Sequence, residues 1–562
     1  MAGKGAGLRA DITKGALLEI AEIVLAVSGP YVLKMLVDTL SAGGSDPLHL
    51  ISLVSLFVVA WAVGSVTSMW RMVYSSRVID GLTRQLATAA IQSRLPEAAS
   101  VRDGDSGRML GLIERLPYSL QVVVDGVIWR ALPLLLQLLG SLAIIAGLIP
   151  FHYVAILGLV LGGFVAVTWF GAVRHEQNAG AANAVTGAVS HMIGDVLRNA
   201  RRVILNGALK VEIAGINAQF NAKRHANEQM MWSLMTMSVF QYGVVGLGLL
   251  LLLTMGGLDV VSQRMTVGEF VLLQAYAFRL ALPLSGLGFT LSQAAISLAN
   301  IGDVFDLSVP TTEPASDPLT VKSPASIALR NVSFQYGPDL PGVHGITADI
   351  VPGSFVVIVG ANGSGKSTLA QLLAGILEAS EGSVLINGRE MNTVARADRH
   401  RHVLYVPQFI GLFNRTLGAN AMYPPSMQSQ SDIGELLRGW RFYEADREIN
   451  FGAPVGEHGE RLSGGQIQKL ELARLTGVRV PAVILDESTS ALDPTSEVEI
   501  TESLRRAYGT RTTLIMITHE QRLAEAADEV LFMSGGKLIA KGSHNELFLE
   551  NSGYALLWNN QD

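Results

Sequence analysis

The chain has 562 residues, enough for two or more domains. Its mean hydropathy is +0.35 and only 16% of residues are charged, against about a quarter in soluble proteins, so membrane spans are expected. A net charge of −6 gives no general basic footprint for nucleic acid, and the lack of cysteine excludes disulfides, thiolate metal sites and cysteine nucleophiles.

The N-terminal run MAGKGAGLRADITKGA has small residues and cations but no compact apolar core with a cleavage site, so no cleaved signal peptide is expected. Crossing a hydrocarbon core of about 30 Å takes about 20 helical residues. Six segments qualify, roughly 15–40, 48–72, 127–149, 152–173, 234–258 and 267–292, and they define a transmembrane domain over 1–308. The fourth, YVAILGLVLGGFVAVTWFGAV, carries no charge. Glu19, Glu22, Lys34 and Asp38 interrupt the first, where Lys34 and Asp38, four apart, can pair on one helix face.

The connections at 41–47, 149–153 and 258–266 are short, whereas those at 73–126 and 174–233 are long and basic. The long ones carry Arg77, Arg84, Arg94, Arg102, Arg108 and Arg115, then Arg174, Arg198, Arg201, Arg202, Lys210, Lys223 and Arg224, whereas the short ones carry only Arg264. This excess of cations puts both long connections and both termini in the cytosol. Trp70, Trp129, Trp169 and Trp232 fall where helices should cross the cytosolic interface as an aromatic belt. Each long connection is expected to form two helical arms that continue the spans, with turns near 96–105 and 206–216. About thirty residues of helix reach about 45 Å.

Arg279 lies about 12 residues into the last span, near mid-membrane, where a cation normally faces protein or a water-filled cavity. Two readings stay open: contact with an anionic cargo, or a structural pair with a carboxylate on a neighbouring span. Pro283 is positioned to kink the same helix.

Residues 309–326, VPTTEPASDPLTVKSPAS, have linker composition. Over 327–562 short β-rich runs alternate with helical stretches, which indicates an α/β domain with a largely parallel core sheet. SFVVIVGANGSGKST within it has the order strand, glycine loop, helix. Gly360, Gly363 and Gly365 let backbone N–H groups turn inward around phosphates, with Asn362 and Ser364 in the same loop. Lys366 reaches the β- and γ-phosphates, Ser367 is placed for Mg2+, and Thr368 opens a helix whose N-terminus favours anions. AVILDES at 482–488 is an apolar strand ending in two carboxylates. Asp486 suits a Mg2+ shell, and Glu487 suits polarisation of the attacking water.

GANGSGKST at 360–368, LSGGQ at 462–466 and VILDE together resemble the ATP-binding cassette family. The resemblance implies further roles. Tyr336 would stack on adenine, and Gln408 would sense Mg2+ and the membrane domain. Ser490–Asp493 would contact a second cassette, and His519 would contact the γ-phosphate. Two cassettes would meet head to tail, with ATP between Lys366 of one and Ser463, Gly464, Gly465 and Gln466 of the other. The acidic-glycine run Gly456–Gly459 resembles a loop that contacts cytosolic arms in exporters, and 206–220 falls where such proteins place a coupling helix.

The implied architecture is an exporter-type half-transporter: an all-α six-helix transmembrane domain with long cytosolic extensions, then an α/β P-loop NTPase. The implied function is ATP-driven export of a small molecule, peptide or lipid by alternating access, with ATP and Mg2+ as cofactors. An importer of siderophore-like cargo and a regulatory or gating protein are the alternatives. The implied partners are a lipid bilayer, such as a bacterial inner membrane, an unidentified cargo and a second half-transporter. Because every catalytic position is intact, a homodimer is favoured over a heterodimer.

Overall fold

A computed structural model describes residues 2–43, 47–98, 104–309, 323–337, 340–409, 411–424, 429–443 and 448–559. The chain divides into a helical unit within 1–309 and an α/β unit within 310–562, apart from a short stretch at 95–102. Most of the expected linker, 310–322, and the expected first arm tip at 99–103 lie outside the described residues.

The helical unit consists of long rods. They are α1 (Ala2–Ser41), α2 (Pro47–Ala98), α3 (Gly104–Gln121), α4 (Leu132–Leu148), α5 (Phe151–Arg198), α6 (Ala200–Leu205), α7 (Leu209–Val261) and α8 (Val267–Ser308). A π-helical stretch, Val122–Ala131, joins α3 to α4. Among the described residues, five helical stretches are long and apolar enough to cross a membrane: Gly7–Ser41, Pro47–Pro96, Met109–Leu148, Phe151–Gly171 and Leu209–Val261. The expected sixth span lies in α8, whose side chains at 280–289, Pro283 included, are outside the description. Val58, Trp61, Leu159 and Leu250 are exposed on these rods, as suits helices whose solvent is lipid.

The Lys34–Asp38 pair forms at 2.8 Å. Asp38 does a second job, because its Oδ1 accepts from the Gly268 amide at 3.0 Å and ties the end of α1 to the start of α8. Next to that tie, Thr266 and Glu269 cap α8 reciprocally.

Two expectations need correction. Trp129 is not part of an interfacial belt, because it is only 8% exposed. It packs on Gly15, and the Arg71 guanidinium lies 6.0 Å from its ring. Arg71 is in turn held by Glu19 at 2.7 Å. Trp70, Trp169 and Trp232 are exposed. The second arm turns at Asn206–Gly207, where Gly207 takes φ 64°, and its short separate helix is α6. Most of 206–220 belongs instead to the first turns of α7.

The α/β unit holds two sheets. A four-stranded antiparallel sheet has the order β2 (Gly342–Ile350), β1 (Ile327–Gln335), β4 (Glu381–Ile386), β5 (Arg389–Glu390). A six-stranded sheet has the order β10 (Lys537–Gly542), β9 (Glu529–Ser534), β3 (Phe355–Val359), β8 (Thr513–Ile517), β7 (Ala482–Asp486), β6 (Val403–Val406). The pairings from β9 to β6 are parallel. Both faces of the central strands are covered, so β3 is apolar throughout and β7 and β8 are nearly so. Val357 and Val359 enter one core with Leu485 and Met516, while Val356 and Ile358 enter the other with Ile484 and Ile517. Each such side chain, fully buried, contributes about 1.5–3 kcal/mol. This packing fixes the ends of β3, β7 and β8 side by side.

Candidate nucleotide site

The phosphate loop leaves the end of β3 and enters α9 (Lys366–Leu373). Gly365 caps α9 with φ 97°, and a Cβ there would meet Val343 Cγ1 at 2.8 Å. Only glycine suits that combination of backbone angle and close packing. Lys366 is 5% exposed, and its Nζ donates to the carbonyls of Gly360 at 2.8 Å and Ala361 at 3.2 Å. Burial lowers its pKa, opposed by the carboxylates of Glu487 and Asp486. Ser364 Oγ is buried without a protein hydrogen-bond partner. A helix N-terminus, a buried ammonium and a spare hydroxyl within one loop form an anion cradle suited to phosphate.

Two carboxylates close the opposite side. Asp486 ends β7, and its Oδ1 accepts from Ser367 Oγ at 3.0 Å. Its Oδ2 accepts from the Tyr405 hydroxyl at 2.7 Å. Burial raises the Asp486 pKa, and the Tyr405 and Ser367 hydrogen bonds pull it back. A buried carboxylate paired with a serine hydroxyl beside a phosphate cradle is a hard-oxygen donor set that fits Mg2+.

Glu487 follows in the left-handed region, with φ 44°. A non-glycine residue held there is strained, as active-site residues often are. Its Oε2 accepts from Gln408 Nε2 at 2.6 Å, and its Oε1 lies 3.3 Å from His519 Nε2. The fold thus brings together Lys366, Ser367, Gln408, Asp486, Glu487 and His519 from the C-terminal ends of neighbouring parallel strands, the usual place for a ligand crevice.

The other expected residues are placed as follows. Tyr336 is half-buried, with its hydroxyl 3.5 Å from Thr368 Oγ1 and its ring edge-on to Phe334. Ser463 and Gln466 form a capping box at the start of a helix, Gly464–Leu475. Gly464 and Gly465 pack on Ala491 in the SALD segment rather than on the phosphate loop. Arg279 lines a cavity of about 730 Å³ between α1, α2 and α8, with Glu22, Phe57, Trp61 and Met69. Glu22 lies 3.7 Å from Arg71 Nε, and among the described residues no carboxylate forms an ion pair with Arg279.

A family model described as ABC transporter matches residues 343–490. An ATP-dependent lipid A-core flippase from Saccharophagus degradans is 31% identical over 408 residues, covering 72% of this chain and 68% of the relative. The chain belongs to the ABC transporter family. An ATM1-type heavy metal exporter from Novosphingobium aromaticivorans is 28% identical over 572 residues, spanning 99% of this chain and 92% of that one. The solved structure of a bacterial Atm1-family ABC exporter with ATP bound superposes with a TM-score of 0.87 at 27% identity, covering 99% of both chains.

This ABC transporter is therefore an exporter-type half-transporter whose cassette binds ATP and hydrolyses it to drive export. Two contributors to the site had no role in the sequence reading. Tyr405 stands three residues before Gln408, and only the register of β6 against β7 brings it to Asp486. Glu497 is buried among hydroxyls behind the site.

Proposed function

We propose that two copies of this chain form a dimer in a cell membrane, with cytosolic cassettes that share two ATP molecules. Each ATP is held by the phosphate loop and Lys366 of one copy and by Ser463 to Gln466 of the other. The packing of Gly464 and Gly465 on Ala491, away from their own phosphate loop, supports this division. Tyr336 stacks on the adenine.

Ser367, Asp486 and Gln408 hold Mg2+, which when bound neutralises charge on the β- and γ-phosphates. Glu487 orients a water and takes its proton as the water oxygen attacks the γ-phosphorus. The bond from that phosphorus to the β–γ bridging oxygen breaks, leaving ADP and phosphate. His519 donates to a γ-phosphate oxygen, while Gln408 and His519 keep the Glu487 carboxylate aimed. The observation that carries this assignment is the Glu487 carboxylate held between Gln408 and His519 beside the phosphate cradle.

The cargo is an amphiphile with an anionic group. The Arg279 guanidinium, which has no ion pair among the described residues and shares its cavity with Phe57, Trp61 and Met69, supports this, and a lipid flippase among the relatives agrees with it.

The test is accumulation of labelled cargo in inverted membrane vesicles. ATP should drive it, and Glu487→Gln should abolish it. Accumulation in that variant equal to wild type would defeat the reading. Arg279→Ala should weaken stimulation of the ATPase by an anionic amphiphile about tenfold and leave that by a neutral one unchanged. Equal responses in Arg279→Ala and wild type would remove the cargo assignment.

A further inference from the structure

Glu497 lies in the first turn of a helix, Pro494–Tyr508, and is 9% exposed. A carboxylate there needs partners to offset its desolvation. Among the described residues, both of its side-chain hydrogen bonds come to one oxygen. Thr489 Oγ1 donates to Oε1 at 2.7 Å, and Thr518 Oγ1 donates to the same Oε1 at 2.8 Å.

The positions of the two threonines give the contact its meaning. Thr489 is two residues after Glu487, and Thr518 immediately precedes His519. Thr489 and Thr518 are 1% and 3% exposed, so neither can exchange this partner for bulk water. Thr518 also accepts from the Glu520 amide at 3.0 Å, which fixes the backbone on both sides of His519. Glu497 itself is anchored, because its amide donates to the Asp493 carbonyl at 2.9 Å.

We propose that Glu497 is a positioning residue for ATP hydrolysis: its Oε1 fastens the segment carrying Glu487 to the segment carrying His519, and so sets the distance between carboxylate and imidazole. It does not touch nucleotide. Its effect passes through the two threonine hydroxyls. The raised pKa of its carboxyl, which burial causes, fits a group valued as a hydrogen-bond acceptor rather than as a charge.

The inference rests on the proposed roles of Glu487 and His519, and the test separates the two. Steady-state ATPase of the full-length protein is measured for wild type, Glu487→Gln, Glu497→Ala, Glu497→Gln and Thr518→Val. Misplacement of a catalytic group by about 1 Å costs on the order of 100-fold. Glu497→Ala should therefore lose kcat on that scale, with KM for ATP within about twofold of wild type. Glu497→Gln keeps the acceptor oxygen and should restore kcat to within about threefold. Thr518→Val, nearly isosteric, should lose kcat as Glu497→Ala does, and it decides the matter if that variant does not fold. Wild-type kcat in Glu497→Ala or Thr518→Val, or an equal loss in Glu497→Gln and Glu497→Ala, would overturn the inference. Wild-type turnover in Glu487→Gln would instead defeat the underlying site assignment.

Discussion

His519 Nε2 stands 3.3 Å from Glu487 Oε1 although 32 residues separate them in the chain. The contact follows from adjacent parallel strands, since Asp486 pairs with Ile517 across β7 and β8. The Glu487 amide then donates to the Ile517 carbonyl at 3.2 Å, so both strands release their chains at the same level. One residue beyond the end of β7 and two beyond the end of β8, carboxylate and imidazole face each other.

Asp486 should make the cassette less stable while making it active. Its pKa is raised in the folded chain, so folding disfavours its charged form. The penalty is absent below the ordinary carboxylate range and grows as pH rises through the raised native value. Asp486→Asn should therefore raise the midpoint of thermal unfolding at neutral pH in nucleotide-free buffer containing chelator, and the gain should shrink as pH falls and vanish below the ordinary carboxylate range. The same variant should lose Mg2+-dependent ATPase by about 100-fold or more. Calorimetry with a parallel ATPase assay checks both directions.

Asp38 should govern the start of α8. Replacing it with alanine removes the acceptor for the Gly268 amide and the partner of Lys34. Leaving a part-buried amide unpaired costs about 1–3 kcal/mol. Hydrogen exchange at Gly268 should accelerate in Asp38→Ala by about 5- to 100-fold, while amides of the α/β unit keep their wild-type rates.

The absence of cysteine provides a clean test of pairing between copies. A variant carrying Asn362→Cys and Ser463→Cys should, under mild oxidation with ATP, form a covalent dimer resolved on a non-reducing gel. A disulfide closed within one chain, or no cross-link at any ATP concentration, would contradict the shared site.

The sequence made the cassette legible because its chemistry is local. A phosphate loop must follow a strand and open a helix, and Asp486 with Glu487 must end one, so spacing alone places them. The membrane rods were legible from continuous apolar length. Trp129 was misplaced because its burial depends on Gly15 and Arg71 of other helices, which residue type and position do not reveal. The second arm turns at Asn206–Gly207, at the start of its expected window, but the coupling helix expected over 206–220 was misplaced because the residues after the turn have ordinary helical composition and continue into α7. Tyr405 and Glu497 were invisible for a third reason. Their partners lie 81, 8 and 21 residues away and meet them only after the sheet has formed.

The most direct test of the account is ATP turnover by Glu487→Gln, measured beside equilibrium binding of ATP to the same preparation. Removing a positioned general base typically costs about 100- to 10,000-fold. The account predicts a kcat lowered on that scale with ATP binding within about twofold of wild type. Turnover near the wild-type rate with binding intact would contradict it.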